Sequence, residues 1–186
     1  LSADERRGLV VAAAITELVM RDCPVCQENM SRRKLVFLGT YAAAPYRLIA
    51  PRPLNGSDSL AGQIVATPGS AWDRLVQHLG AQAAPPDQNP RAALVAGRVT
   101  ALIDIDGALA RSPLAGKALA VTRLPLGAYR GAGPFMVNRD VWRSLTQPQR
   151  RRLFAAAATG IVRITAAYHS QAAADLAVAA KLGVVV

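Results

Sequence analysis

The chain has 186 residues, a formal charge of +10 at pH 7, and 52% hydrophobic but only 5% aromatic residues. That is enough apolar chain to fold as one ordinary domain or slightly more around Ala, Val and Leu, and it excludes intrinsic disorder. Lys and Arg are scattered along the chain, Arg150-Arg151-Arg152 forming a run, and no helix-turn-helix, zinc or aromatic RNA-binding signature accompanies them. Nucleic-acid binding is therefore set aside and the run is read as a solvated helix face. The basic balance can still draw anionic solutes from a distance. No apolar stretch reaches the roughly 18 residues needed to cross a bilayer. Residues 9–20 come closest and contain Glu17. The chain reads as soluble and not membrane-embedded, with no basic-apolar leader, so any secretion signal is expected to be removed or never present.

Residues 2–21 read as an amphipathic helix, Ser2 and Glu5 forming a capping box. Cys23-Pro24-Val25-Cys26 follows. A redox dithiol has this spacing, but such motifs open a helix after a strand, whereas this one follows a helix. Cys23 and Cys26 are read as a local structural disulfide that fixes the turn. Residues 34–41 and 46–50 are strands by their β-branched and aromatic content, joined by the small-residue link Ala42-Ala43-Ala44-Pro45. Residues 51–59, rich in Pro, Asn, Gly and Ser, form a loop.

The stretch that organises the chain is 60–97. Residues 63–67 have strand length, Pro68-Gly69 breaks the run, and Ser70 with Asp73 predicts a helix start. Ala71, Trp72, Leu75, Val76 and Leu79 share one helical face, and Gly80 stands where a left-handed cap belongs. Asn89-Pro90 opens a second helix ending at Gly97, and residues 99–105 read as the next buried strand. Asp104 and Asp106 lie on one side of that strand's end. They suggest a cationic group or a metal, or the capping of a turn, which is the preferred reading. Residues 118–124 and 133–138 are further strands around the Gly-rich connection 127–133, which carries Tyr129 and Arg130. Asn138 caps a short helix, and Thr146 with Gln149 opens a long Ala-rich helix from Pro148 to about Lys181. Gly160 marks a bend or a close contact within it, Gly183 ends it, and residues 184–186 form a last strand. No Ser–His–Asp order, phosphate loop or metal-ligand set is present, and neither enzyme activity nor a cofactor is expected.

Leu60-Ala61-Gly62-Gln63-Ile64 followed by Thr67-Pro68-Gly69-Ser70-Ala71-Trp72 resembles the D-L-x-G-x-K-I-R-x-P-G segment of the extracytoplasmic solute receptors of TRAP (tripartite ATP-independent periplasmic) transporters. Matches in the family's order follow at Leu79-Gly80-Ala81, at 93–97, at 137–145 and at Lys181-Leu182-Gly183-Val184, so the resemblance covers about 34–186. It implies a periplasmic-binding-protein-like (type II) α/β fold with a long C-terminal helix, closing on a small solute between lobes. It also implies that the family's amino-terminal part is missing. The divisions expected are 1–50, a remnant of the first lobe; 51–135, the second α/β lobe; and 136–186, a hinge strand and long helix. The function implied is capture of a small, organic-acid-like solute in the periplasm for the membrane permease subunits of a TRAP transporter. The alternative is a degenerate or sensor-type binding module without a transport role.

Where the family carries its K-I-R arginine, whose fork holds the ligand carboxylate, this chain has Ala66. Thr100, Ala101, Ile103 and Asp104 replace the later D-G-x-E-N segment. A carboxylate ligand without a charged partner is costly to bury, so either Arg47 or Arg130 takes over the clamp, or the ligand is not a simple carboxylate, or binding has been lost. The candidate ligand contacts are Tyr46, Arg47, Trp72, Asn89, Asp104, Tyr129 and Arg130, Trp72 being read also as ordinary helix-to-sheet packing.

Overall fold

The structure, a computed structural model, describes residues 2–54, 57–105, 114, 119–122, 126 and 133–185. The chain divides into two compact units, one drawn from 1–44 and 128–170, the other from 45–127 and 171–186. Each unit is thus assembled from two segments far apart in sequence.

The first unit opens with α1 (Ala3–Glu17), capped by Ser2. The Glu5 amide donates to the Ser2 hydroxyl at 3.1 Å and the Ser2 amide donates to the Glu5 carboxylate at 2.5 Å, the reciprocal box read from the sequence. The backbone amide bond from Ser2 is the main reason the Glu5 carboxyl sits below the usual glutamate range. A π-helical turn (Leu18–Asp22) leads to α2 (Pro24–Arg32). Cys23 is the N-cap of α2, Pro24 takes the first helical position, and a disulfide joins Cys23 to Cys26. The pair therefore opens a helix as well as following one, a placement that the order of sequence signals did not suggest.

Strand β1 (Leu35–Tyr41) pairs antiparallel with β7 (Gly133–Asn138), from Leu35 opposite Asn138 to Tyr41 opposite Gly133, with an irregularity between Phe37 and Gly39. Asn138 ends β7 and caps α5 (Arg139–Ser144), accepting from the amides of Asp140 and Val141. Helix α6 (Gln147–Lys181) has 35 residues and supplies the first unit as far as Ser170. Its Thr165 hydroxyl accepts the Ala42 amide at 3.2 Å in a buried position, and Tyr168 stacks on Tyr41 at 5.7 Å between centroids. Gly160 passes close to Phe135: a Cβ there would lie 3.2 Å from the ring. Of the two readings, close contact is the one this geometry shows. Arg150 is more than surface charge. It donates to the carbonyls of Trp142 and Arg143 at 2.9 and 3.0 Å and lies over the Trp142 ring.

The second unit holds a five-stranded sheet in the order β4-β3-β5-β2-β6, built from β2 (Tyr46–Ala50), β3 (Ile64–Ala66), β4 (Gln82–Ala83), β5 (Ala101–Ile105) and β6 (Ala120–Val121). Strands β4, β3 and β5 run parallel, and β2 runs antiparallel to both β5 and β6. Two βα connections, through α3 (Ser70–His78) and α4 (Pro90–Val95), produce that parallel set. Gly80 closes α3 at φ +79°, with Ala81 and Gly80 amides returning to the carbonyls of Val76 and Gln77. The core comprises Ile49, Leu102, Val121, Leu94 and Val99 with Ala179 and Val184 from the chain's end, all nearly inaccessible to solvent. The last strand read from the sequence is a single parallel bridge, Val185 to Ala120. Among the described residues, no helix is long and apolar enough to cross a membrane.

Candidate functional site

The parallel strands β3, β4 and β5 bring their carboxyl ends to one edge of the second unit's sheet, the edge at which open α/β sheets take up ligands. The turn after β3 is Thr67-Pro68-Gly69, entering α3; the connection after β4 runs through 84–89 into α4. Because β2 is antiparallel to β5, its starting residues arrive at the same edge, Tyr46 opposite Ile105 and Arg47 opposite Asp104.

At this edge lies a hollow of about 320 Å³, lined by Thr67, Pro68, Asn89, Pro90, Arg91 and Asp104 among others. Local rules build its walls. Asn89 caps α4 by accepting the Ala92 amide at 3.0 Å, and Pro90 at the first helical position leaves Arg91 on the opening turn. Asp87 accepts the Asn89 amide at 2.8 Å and Arg98 at 3.3 Å, which together hold its carboxyl below the usual aspartate range, the amide contributing most. On the facing turn, the Thr67 hydroxyl donates to the Asp73 carboxylate. That bond occupies Asp73, so α3 has Gly69 as its N-cap with no side-chain cap. The Ser70–Asp73 capping box expected from the sequence is absent for this reason.

The chemistry of the hollow is an ion pair. Arg91 Nε donates to Asp104 Oδ2 at 2.7 Å, and Asp104 Oδ1 accepts the Ile105 amide at 2.8 Å. The side chains are 35% and 17% exposed, so the pair is partly shielded yet open to the hollow. Among the described residues, no other acceptor engages the Arg91 guanidinium, and its two terminal nitrogens retain the planar fork that matches a carboxylate. Among the described residues, no group of three or more His, Cys, Asp or Glu could hold a metal ion.

Asn89 and Asp104 line the hollow. Tyr46 and Trp72 meet edge-to-face 4.9 Å apart between centroids, Tyr46 buried and Trp72 half-buried, so Trp72 serves packing beside the site. Arg47 donates from Nη1 to the Thr122 carbonyl at 3.2 Å and is not among the lining residues. The arginine in the hollow is instead Arg91. Tyr129, Arg130 and Asp106 lie outside the described residues. Sequence reasoning passed over Arg91, although it carried a signal: a cation on a helix's first turn opposes the peptide dipoles and calls for an acidic partner. A second hollow of about 250 Å³, more apolar, lies between Ala50, Leu54, Leu94 and Val99 at the opposite strand ends.

A mixed α/β chain of two units with a long C-terminal helix has the fold of periplasmic solute-binding proteins. Solved structures that it resembles include TRAP periplasmic solute-binding proteins. One from Desulfovibrio salexigens matches with a TM-score of 0.70 and 19% identity over 97% of this chain and 60% of its own. Another, from a marine metagenome and specific for aromatic acid ligands, matches with a TM-score of 0.72 and 15% identity over 96% of this chain and 57% of its own. A third, from a Sulfitobacter species with bound β-D-galacturonate, gives 0.67 and 14% over 92% and 58%. The fold expected from the TRAP-like segments is the one observed, and the chain spans about 60% of the length of these structures. No family model and no curated protein matches the chain.

Proposed function

We propose that this chain is a solute-binding receptor of the TRAP type, which holds a small organic acid at the strand-end hollow of its second unit and passes it to a membrane permease. The observation that carries this reading is a partly shielded arginine in a hollow at the carboxyl ends of parallel strands, on a fold shared with receptors for acids such as galacturonate. Binding, not bond-making, is the activity such a hollow serves, and a periplasmic location follows from the same reading. The hollow is of the size that encloses a single small molecule.

Thermal-shift screening against sugar acids, hydroxy acids, aromatic acids, dicarboxylates, amino acids and polyamines tests the proposal. A ligand at one hundred times its Kd stabilises the folded state by about 2.7 kcal/mol, which is several degrees in Tm for a chain of this size. At least one carboxylate is expected to produce that shift while polyamines do not. If no member of the acid panel raises Tm, the receptor reading is wrong, and a binding module that has lost its solute is the better description.

A further inference from the structure

We propose that Arg91 and Asp104 form one recognition pair, in which Arg91 grips the single carboxylate of a solute and Asp104 accepts a hydrogen bond from a hydroxyl or ammonium beside it. The solute is then a hydroxy- or amino-monocarboxylate and not a dicarboxylate. This deepens the receptor reading and rests on it.

Four observations lead there. Both side chains line the same hollow. The bond from Arg91 Nε to Asp104 fixes the guanidinium plane while leaving the terminal nitrogens for a second carboxylate, so Asp104 orients the clamp. Among the described residues, each Asp104 oxygen accepts one bond, from Arg91 or from the Ile105 amide, and a carboxylate oxygen can accept two, so Asp104 retains capacity for a ligand donor. Finally, Asp104 is only 17% exposed, so its charge is weakly screened toward the hollow. An anionic carboxylate placed beside it is repelled, by at least about tenfold in affinity at the effective dielectric of such sites. A hydroxyl or ammonium at the same place is attracted. The pair therefore combines an attractive element for one end of the solute with a repulsive element against the wrong group at the other.

Titration calorimetry with the intact chain, using D-galacturonate, L-glutamine and malonate as probes, decides the matter. The wild-type chain is expected to bind galacturonate or glutamine at least tenfold more tightly than malonate, and the preferred probe shows whether hydroxyl or ammonium is the group selected. Arg91→Gln should weaken the preferred ligand about a hundredfold, and Arg91→Lys, which keeps the charge but not the fork, about tenfold. Asp104→Asn should weaken the preferred ligand and bring malonate to parity with it. Arg74→Gln, an exposed change on α3, should alter nothing. Melting curves for each variant establish that it folds, and if Arg91→Gln does not, Arg91→Lys and Asp104→Asn carry the test. A wild-type preference for malonate, or full-strength binding by the Arg91 variants, overturns the recognition pair while leaving the receptor reading standing. Absence of binding by every carboxylate overturns both.

Discussion

Replacing Ile49 by Ala should be among the most damaging single truncations in the second unit. Ile49 sits on β2, opposite Leu102 of β5 and Val121 of β6, and has no solvent exposure. The substitution removes about three methylene-sized groups, worth about 2.4 kcal/mol at about 0.8 kcal/mol each. Strands on both sides hold the backbone, so the space collapses little, and the cavity raises the loss to about 4 kcal/mol, within the range known for Ile→Ala. The chain has two tryptophans, Trp142 in the first unit and Trp72 in the second, so a Trp142→Phe background makes Trp72 emission the reporter of this unit. Guanidinium titrations of that background with and without Ile49→Ala should show a lower midpoint at unchanged slope. A loss below about 1 kcal/mol, with the slope preserved, would mean that β2 is not the buried centre of the sheet, and the placement of Arg47 and Asp104 at one edge would go with it.

Gly39→Ala should cost the first unit more than about 2 kcal/mol, since Gly39 has φ +138° and a Cβ would come 2.5 Å from Ile161 Cδ1; an unchanged midpoint by Trp142 emission in a Trp72→Phe background refutes this. Asp87 titrates below the ordinary aspartate range in the folded chain, so its contribution is fully present above that range and is lost as pH falls through the lower native value. Asp87→Asn should accordingly lower stability slightly at neutral pH and flatten the acid limb of the stability-against-pH curve, the wild-type and variant curves converging below about pH 4. Reducing the Cys23–Cys26 disulfide, which closes a loop of sequence separation 3, should cost about 2 kcal/mol or less and leave solute affinity at the hollow unaltered. A change in affinity on reduction would tie the disulfide to binding.

What the sequence revealed was local. The caps at Ser2, Asn89 and Asn138 and the stop at Gly80 depend on groups within a few residues of the backbone they satisfy, and each is found as read. At Thr146 the amide and hydroxyl both donate to the Gln149 side chain. Ser70 shows the limit of that reasoning. Its capping partner Asp73 was claimed by Thr67, three residues outside the pattern being scored. The two-segment make-up of each unit was hidden for a stronger reason: β1 meets β7 nearly a hundred residues later, and β6 meets Val185 across more than sixty. Such pairings leave no periodic trace. Arg91 was missed because its meaning comes from Asp104, thirteen residues away and on a different element, while attention stayed on arginines at positions that the resemblance singled out.

The hollow draws its described walls from a single uninterrupted run of the sequence, Thr67 at one end and Asp104 at the other. Leu102 and Ile103, which also line the hollow, belong to the buried interior, while Thr67, Pro68 and Asn89 sit on the connections before α3 and α4. On the proposed reading, ligand preference is encoded within fewer than forty residues. Exchanging a few of its turn residues offers a route to new preferences, while Val76, Leu94 and Leu102 of the same run keep the core intact.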